Sequence, residues 1–429
     1  MEYQNTLAFA LQMDESDPLK HFRNKFLFPK HEGRDAIYLC GNSLGLQPVS
    51  AQKYLNEQLA VWQDFGVEGW FNAKDTWLSY HNGLTGTLAA IVGAKKEEIT
   101  VMNSLTVNLH LLMVSFYKPS GNRYKIIMEA GAFPSDQYAV ESQVKFHGYD
   151  PKDAIIEIFP REGEDTLRTE DILQTIEDNA SELALVLFSG INYYTGQFFD
   201  IPAITKAAHE AGARAGIDLA HAAGNVPLKL HDWDVDFACW CSYKYINSGP
   251  GGISGIFVHE KHFGDKALNR FAGWWGYRED KRFLMAQGFE AAMGAEGWQV
   301  STPPIMLMAL HKASLEIFEE AGGIDTLRVK SELLTGYFEF LINKINQGSV
   351  KELFKIITPK NKWERGCQLS IVCNQNARET FNYLTQNGVI ADWREPNVIR
   401  LSPVPLYNSF KDIFEACRIL SSFISESGS

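Results

Sequence analysis

RAGIDLAHAAGNVPLKLHDWDVDFACWCSYKYINSGPGG, Arg214 to Gly252, holds two short apolar runs, RAGIDLA and DFACW, joined by a turn-rich segment. Both read as strands that are apolar on each face, as in a parallel sheet covered on both sides. Asp218 and then His221 stand at the end of the first run. Lys244, between Tyr243 and Tyr245, follows the second. Lysine is almost never fully buried without a partner, so a lysine where a buried strand ends asks for a chemical reason.

The same alternation extends outward. YKIIME (124–129), AIIEIF (154–159) and ALVLFSG (184–190) read as strands, each followed by a helical stretch. One helix runs through Gln137 to Val144. Thr169 is placed to cap the next, with Glu170 and Asp171 in its first turn. A third has Pro202 at its start and Gly212 at its end. Strands alternating with helices predict an α/β fold with a mainly parallel sheet. Beyond residue 300 the pattern changes. Pro303-Pro304 opens an amphipathic helical region through Gln347, followed by FKIIT, QLSIV, VIRLS and two more helices. The expected division is an N-terminal arm (1–65) packing with a small α+β domain (301–429), and a large domain (66–300).

Composition narrows the class. The 429 residues carry a formal net charge of −12, which argues against nucleic-acid partners, since phosphate backbones need clustered Lys and Arg. KHFRNKFLFPKH (20–31) reads as the polar face of an N-terminal helix. The N-terminus lacks a charged segment followed by an apolar one, so no signal peptide is expected, and no stretch approaches a membrane span of about 20 apolar residues. The six cysteines show no CxxC pair and no metal-type spacing with histidines. Cys239 and Cys241 read as core thiols on one face of a strand, in a reducing cytoplasm.

Ligands of open α/β sheets bind outside the carboxyl ends of the strands, and four stretches stand there. In VMNSLTVNLHLLM (101–113) a helix starting near Leu105-Thr106 offers free N–H groups and a hydroxyl to a phosphate; the plainer reading is an ordinary cap. In EAGAFPSDQ (129–137) Phe133 can cover a flat ring, or simply pack, while Ser135 or Asp136 caps the next helix. In GIDLAHAAGN (216–225) Asp218 can pair with a buried cationic nitrogen, or cap a turn, and His221 can be a satisfied core histidine. Lys244 is either a lysine snorkelling at a strand end or a desolvated amine that loses its proton readily, as a Schiff-base lysine must. Jointly they supply a phosphate cradle, a stacking ring, an acid for a ring nitrogen and an amine. That set matches pyridoxal 5′-phosphate (PLP). No GxGxxG or GxxxxGK[ST] follows any strand, which removes the nucleotide alternative.

With these residues in hand, the chain resembles the kynureninases, of the aspartate aminotransferase-like fold type I PLP enzymes. The likeness runs through GNSLGLQP (41–48), MNSLTVNLHLLM, AFPSD, DLAHAAGNV, HDWDVDFACWCSYKY, GWWG, RGCQLS (365–370) and RLSPVPLYNSF (400–410). It implies a seven-stranded large-domain sheet and hydrolysis of L-kynurenine to anthranilate and L-alanine. It implies Lys244 as the Schiff-base lysine, Asp218 as the ring-nitrogen partner and Phe133 as the stacking ring. Leu105, Thr106 and Tyr243 would surround the phosphate. Pro134, Ser135, Asp136, Ser189 and His221 would complete the cofactor shell, and Tyr243 is the candidate proton donor. Arg400 matches an arginine that holds the substrate carboxylate, and Ser43 a position near the substrate. Trp274 matches a residue reaching the partner subunit's cofactor, which implies a homodimer with shared sites. Thr302 and Trp70 stand where members acting on 3-hydroxykynurenine carry Asn and His. That loss of polar groups favours plain kynurenine. The rivals are a cysteine desulfurase, for which Cys367 would be the reactive thiol, an aminotransferase, or a PLP-fold binding protein without catalysis.

Overall fold

The computed structural model describes residues 2–349 and 351–427. Seven strands form the central sheet: β1 (Ile99–Val101), β2 (Lys125–Glu129), β3 (Ile155–Ile158), β4 (Leu183–Ser189), β5 (Arg214–Asp218), β6 (Phe237–Trp240) and β7 (Gly255–Val258). Their order is β1-β7-β6-β5-β4-β2-β3. Only β7 is reversed, pairing antiparallel with both β6 and β1, while β6, β5, β4, β2 and β3 run parallel to one another. Asp218 faces Ser189 across β5 and β4 and Cys239 across β5 and β6, so the strand ends bring their last residues side by side.

Helices cover both faces, as the two-sided apolar strands require. The longer helices of this part of the chain are α1 (Leu7–Ser16), α2 (Ala51–Phe65), α3 (Asn82–Val92), α4 (Leu105–Phe116), α5 (Pro134–Phe146), α6 (Thr169–Asp178) and α7 (Ile201–Glu210), of which α1 packs away from this sheet. On one face Ile217, Ala238 and Trp240 pack with Leu84 and Leu88 of α3. On the other, Leu185, Leu187, Phe237 and Cys239 pack with α4 and α5 through Leu109, Leu112 and Val140.

Four further helices and a four-stranded sheet follow. These are α8 (Ile305–Glu320), α9 (Gly323–Gln347), α10 (Ala377–Gln386) and α11 (Phe410–Ser427), with β8 (Phe354–Ile356), β9 (Leu369–Cys373), β10 (Asp392–Arg394) and β11 (Val398–Leu401) in the order β8-β9-β11-β10. The single helical region expected after Pro303-Pro304 is two helices, broken where Gly322 and Gly323 both take positive φ. A core of Leu334, Tyr337 and Phe338 of α9 with Ile413 and Ala416 of α11 also takes in Ala10 and Met13 of α1. By contrast, Met308, Leu315 and Phe318 of α8 belong to the core of the central sheet.

Several local expectations shift. Thr169 is the first helical residue of α6, and Arg168 precedes it without a side-chain cap. Phe133 occupies the cap position of α5, because Pro134 with its fixed φ begins the helix; Ser135 and Asp136 therefore lie inside the first turn. KHFRNK (20–25) is a separate 3₁₀ turn with Phe22 buried rather than the face of α1. There Arg23 pairs with Asp412 at 2.6 Å. Among the described residues no helix is long and apolar enough to cross a membrane.

Candidate active site

The carboxyl ends of β4, β5 and β6 and the first turns of α4 and α5 enclose one cavity. Its walls include Leu105, Thr106, Phe133, Ser135, Asp136, Ser189, Asp218, His221, Tyr243 and Lys244. Ile191, Tyr193, Ala220 and Cys241 also line it. Ten of the residues singled out in the sequence thus meet in one place.

Lys244 Nζ lies 2.9 Å from Nε2 of His221 and 5.8 Å from the centroid of the Phe133 ring. Burial, and then the Lys244 charge, push the His221 imidazole well below its ordinary value, so it is neutral and its Nε2 can accept a hydrogen bond from the amine. Its Nδ1 has no protein partner. Asp218 is 4 % exposed and accepts from the Ala220 N–H at 2.6 Å. Asp136 sits against it: burial and the Asp218 charge raise the Asp136 carboxyl well above the usual range, and its Oδ1 is buried without a partner. On the opposite wall the hydroxyls of Thr106 and Ser135 are 2.6 Å apart, one in the first turn of each helix. Burial raises the Tyr243 hydroxyl, which keeps its proton available.

The residues fit PLP on four counts. There is an amine, a buried carboxylate for a ring nitrogen, two hydroxyls at paired helix N-termini for a phosphate, and two orphaned polar atoms, Asp136 Oδ1 and His221 Nδ1, where a polar ring would find them.

Arg400 is 0 % exposed and stands behind Tyr193. Its Nη1 donates to the Tyr193 carbonyl at 2.6 Å, Nη2 bonds Asp392, and Nε has no partner. These two bonds use two of its five N–H donors, so Nε and a second N–H on each Nη remain for a carboxylate. Arg394, unnoticed in the sequence, shares Asp392 at 3.2 Å and lies 6.0 Å from the Tyr193 ring.

Other sequence candidates are not among the residues that line this cavity. Ser43 lies in the GNSLG turn, where its N–H donates to the Cys40 carbonyl at 3.0 Å. Two residues on, the Gly45 N–H donates to the Tyr243 carbonyl at 2.8 Å, and a Cβ at Gly45 would collide with Asn247 and the Lys244 carbonyl. Trp70 packs edge-on against Trp77 at 5.5 Å and against Trp275 at 5.6 Å. Trp274 is 46 % exposed with Nε1 donating to the Arg282 carbonyl, and Thr302 is exposed. Pro134 opens α5 between two lining residues.

Two cysteine expectations separate. β6 ends at Trp240, so Cys239 packs in the core while Cys241, past the strand, lines the cavity. Cys367 is buried beside Tyr245, and burial pushes its thiol up to about 12, which makes a poor nucleophile. Elsewhere, Glu98, His231 and His259 bring three possible ligand atoms within 4.8 Å of one another. Their lone pairs are already engaged: Glu98 accepts from His231 and the Glu260 N–H, and His259 Nδ1 accepts from the Lys261 N–H.

A family model described as Kynureninase C-terminal domain matches residues 327–420. A kynureninase of Flavobacterium psychrophilum is 56% identical over 99% of this chain and 100% of its own. The kynureninase of Mus musculus is 48% identical over 97% of this chain and 93% of its own. The chain belongs to the kynureninase family. Among solved structures, the cysteine desulfurase of Thermococcus onnurineus covers 99% of the chain and matches all of its own at a TM-score of 0.75 and 16% identity. A C-DES variant with glycine covalently linked to its PLP cofactor covers 90% of this chain and 96% of its own at a TM-score of 0.73 and 16% identity. These distant likenesses establish a shared fold.

Proposed function

We propose that the chain hydrolyses the Cβ–Cγ bond of L-kynurenine to anthranilate and L-alanine with PLP as cofactor. The observation that carries this reading is the convergence of Lys244, Asp218, Phe133 and the Thr106–Ser135 hydroxyl pair on one cavity, in a chain nearly half or more identical to kynureninases over almost its whole length. The PLP-linked neighbour supports the cofactor.

Bound there, PLP supplies an electron sink that weakens bonds at the substrate's Cα and, in turn, Cβ–Cγ. The protein supplies everything else. Lys244 holds the cofactor and then takes and returns the proton at Cα, with His221 receiving its N–H. Asp218 pairs with the ring nitrogen, and Phe133 covers one ring face. Leu105, Thr106, Pro134, Ser135 and Asp136 hold the phosphate end and its shell, together with Ser189. Tyr243 donates the proton to Cβ. Arg400 orients the α-carboxylate through its unpartnered Nε, beside Ser43.

Trp274 reaches the site of a partner subunit in a homodimer. The bare apolar surface around it, with Leu284 and Met285 each 71% exposed, supports this. Trp70 and Thr302 exclude a polar pair from the aryl pocket, so kynurenine is preferred over 3-hydroxykynurenine. The setting is cytoplasmic tryptophan catabolism through the kynurenine pathway, which also feeds NAD biosynthesis. Its three structural units are the arm 1–65, the large domain 66–300 and the small domain 301–429. The test is parallel turnover of both substrates by the purified chain, followed by aminobenzoate fluorescence. A higher kcat/KM on kynurenine is expected, and the reverse overturns the preference.

A further inference from the structure

Beneath the cavity lies a carboxylate that the proposed chemistry does not use. Glu129 ends β2 as Asp218 ends β5, with the end of β4 between them. It is 2 % exposed. Both donors of Ser189 reach it: the backbone N–H at 3.2 Å to each carboxylate oxygen, and the hydroxyl to Oε1. Ser189 in turn is the cross-strand neighbour of Asp218. The acidic groups facing Glu129 are Asp218 from β5 and, from the first turn of α5, Asp136, whose proton it helps to retain. β3 opposes it with Ile158. The cation facing this group is Lys244, which acts on Asp136.

Three buried carboxyl groups at neighbouring strand and helix ends cannot all be ionised against a single lysine, because like charges in a poorly solvated site repel strongly. Asp136 is the member with an orphaned oxygen and direct contact to Asp218, so it carries the resident proton. Glu129, which keeps two Ser189 donors, is the member whose charge is adjustable. Burial pushes its carboxyl up to about 7.

We propose that Glu129 is a positioning residue for the ring-nitrogen site, acting through Ser189 and through its charge beside the Asp136–Asp218 pair. This rests on Asp218 being the ring-nitrogen partner. An anionic Glu129 adds negative potential beneath a protonated pyridine nitrogen and strengthens the hold on it; a protonated Glu129 does not. The Glu129 contribution to cofactor affinity is therefore present above neutrality and lost below it.

The test is PLP affinity of the full-length apoprotein at pH 6 and pH 8, each variant expressed as its Kd ratio to the unaltered chain. For Glu129→Gln the ratio is expected to be close to one at pH 6 and to rise roughly three- to tenfold at pH 8, the effect of one partly screened charge. A ratio that is the same at both pH values overturns the proposal and leaves Glu129 a structural residue. If Glu129→Gln does not fold, Ser189→Ala carries the test. Loss of the hydroxyl donor raises the Glu129 carboxyl further, so its ratio exceeds one at pH 8 and falls at pH 9; a flat ratio again overturns the proposal. Asp218→Asn separates the two readings. Weakened binding there with a flat Glu129→Gln ratio sinks only the Glu129 role, whereas Asp218→Asn binding as tightly as the unaltered chain sinks the ring-nitrogen assignment beneath it.

Discussion

The amine of Lys244 donates across 2.9 Å to a histidine, His221, that is buried and neutral. A neutral acceptor leaves the amine free to exchange its proton, whereas a carboxylate in the same place would pin the ammonium form. Lys244→Ala is expected to keep the thermal unfolding profile of the parent and lose at least about 10³-fold in kynurenine turnover, since it removes the proton-transferring group. Ordinary steady-state activity in that variant would remove Lys244 from its role.

Gly45→Ala probes the wall behind the lysine. The added methyl meets the Lys244 carbonyl and the Asn247 side chain, and backbone cannot yield as a flexible side chain does. An overpacked contact of this kind costs about 1–3 kcal/mol. Reduced kcat with a modest fall in Tm is expected; unchanged kcat would mean that the turn at Lys244 tolerates displacement.

His311, in α8, is fully buried with neither ring nitrogen partnered, and burial lowers it to about 3. Its unfolded value is about 6.5. A base depressed in the folded state contributes stability above its unfolded value, and this is lost as pH falls toward the folded one. By pH 5 the loss is about 2 kcal/mol. His311→Leu should match the parent at pH 7.5 and exceed it in chemical denaturation at pH 5. Equal loss in both proteins on acidification would show that other groups set the acid limit.

Cys367→Ala is expected to leave kynurenine turnover within about twofold, because the thiol is packed and protonated rather than nucleophilic. Release of sulfide from L-cysteine by the parent, abolished in this variant, would restore the desulfurase reading.

Much of the site was legible because Asp218 and Lys244 are charges at the ends of apolar runs, where burial leaves few reasons for them other than chemistry. Glu129 obeys the same rule at the end of YKIIME, but in the sequence it reads as the polar close of a strand ahead of the loop that holds Phe133. Tyr193 and Arg394 were invisible for a different reason. Tyr193 lines the cavity from the irregular loop after β4, whereas Arg394 comes from a short strand of the four-stranded sheet and is brought near Tyr193 only by the packing of that sheet. Proline displaced the expected cap of α5, since it begins a helix before the polar residues that follow it. The change of pattern after residue 300 was real, but pattern is local and packing is not: α8 follows that change and still packs into the core of the central sheet.

The GNSLG turn has a second wall. Gly41 lies so close to Val404 and Tyr407 that a Cβ there would strike both side chains, while Gly45 abuts the turn of Lys244. A segment among the first fifty residues, made in roughly the first few seconds of synthesis, is thus clamped between the middle of the chain and its C-terminal end. On the ribosome the lysine turn can form early, but the surface that braces it closes only when the C-terminal end has emerged. A nascent or truncated chain can therefore own every catalytic group and still lack a rigid active site.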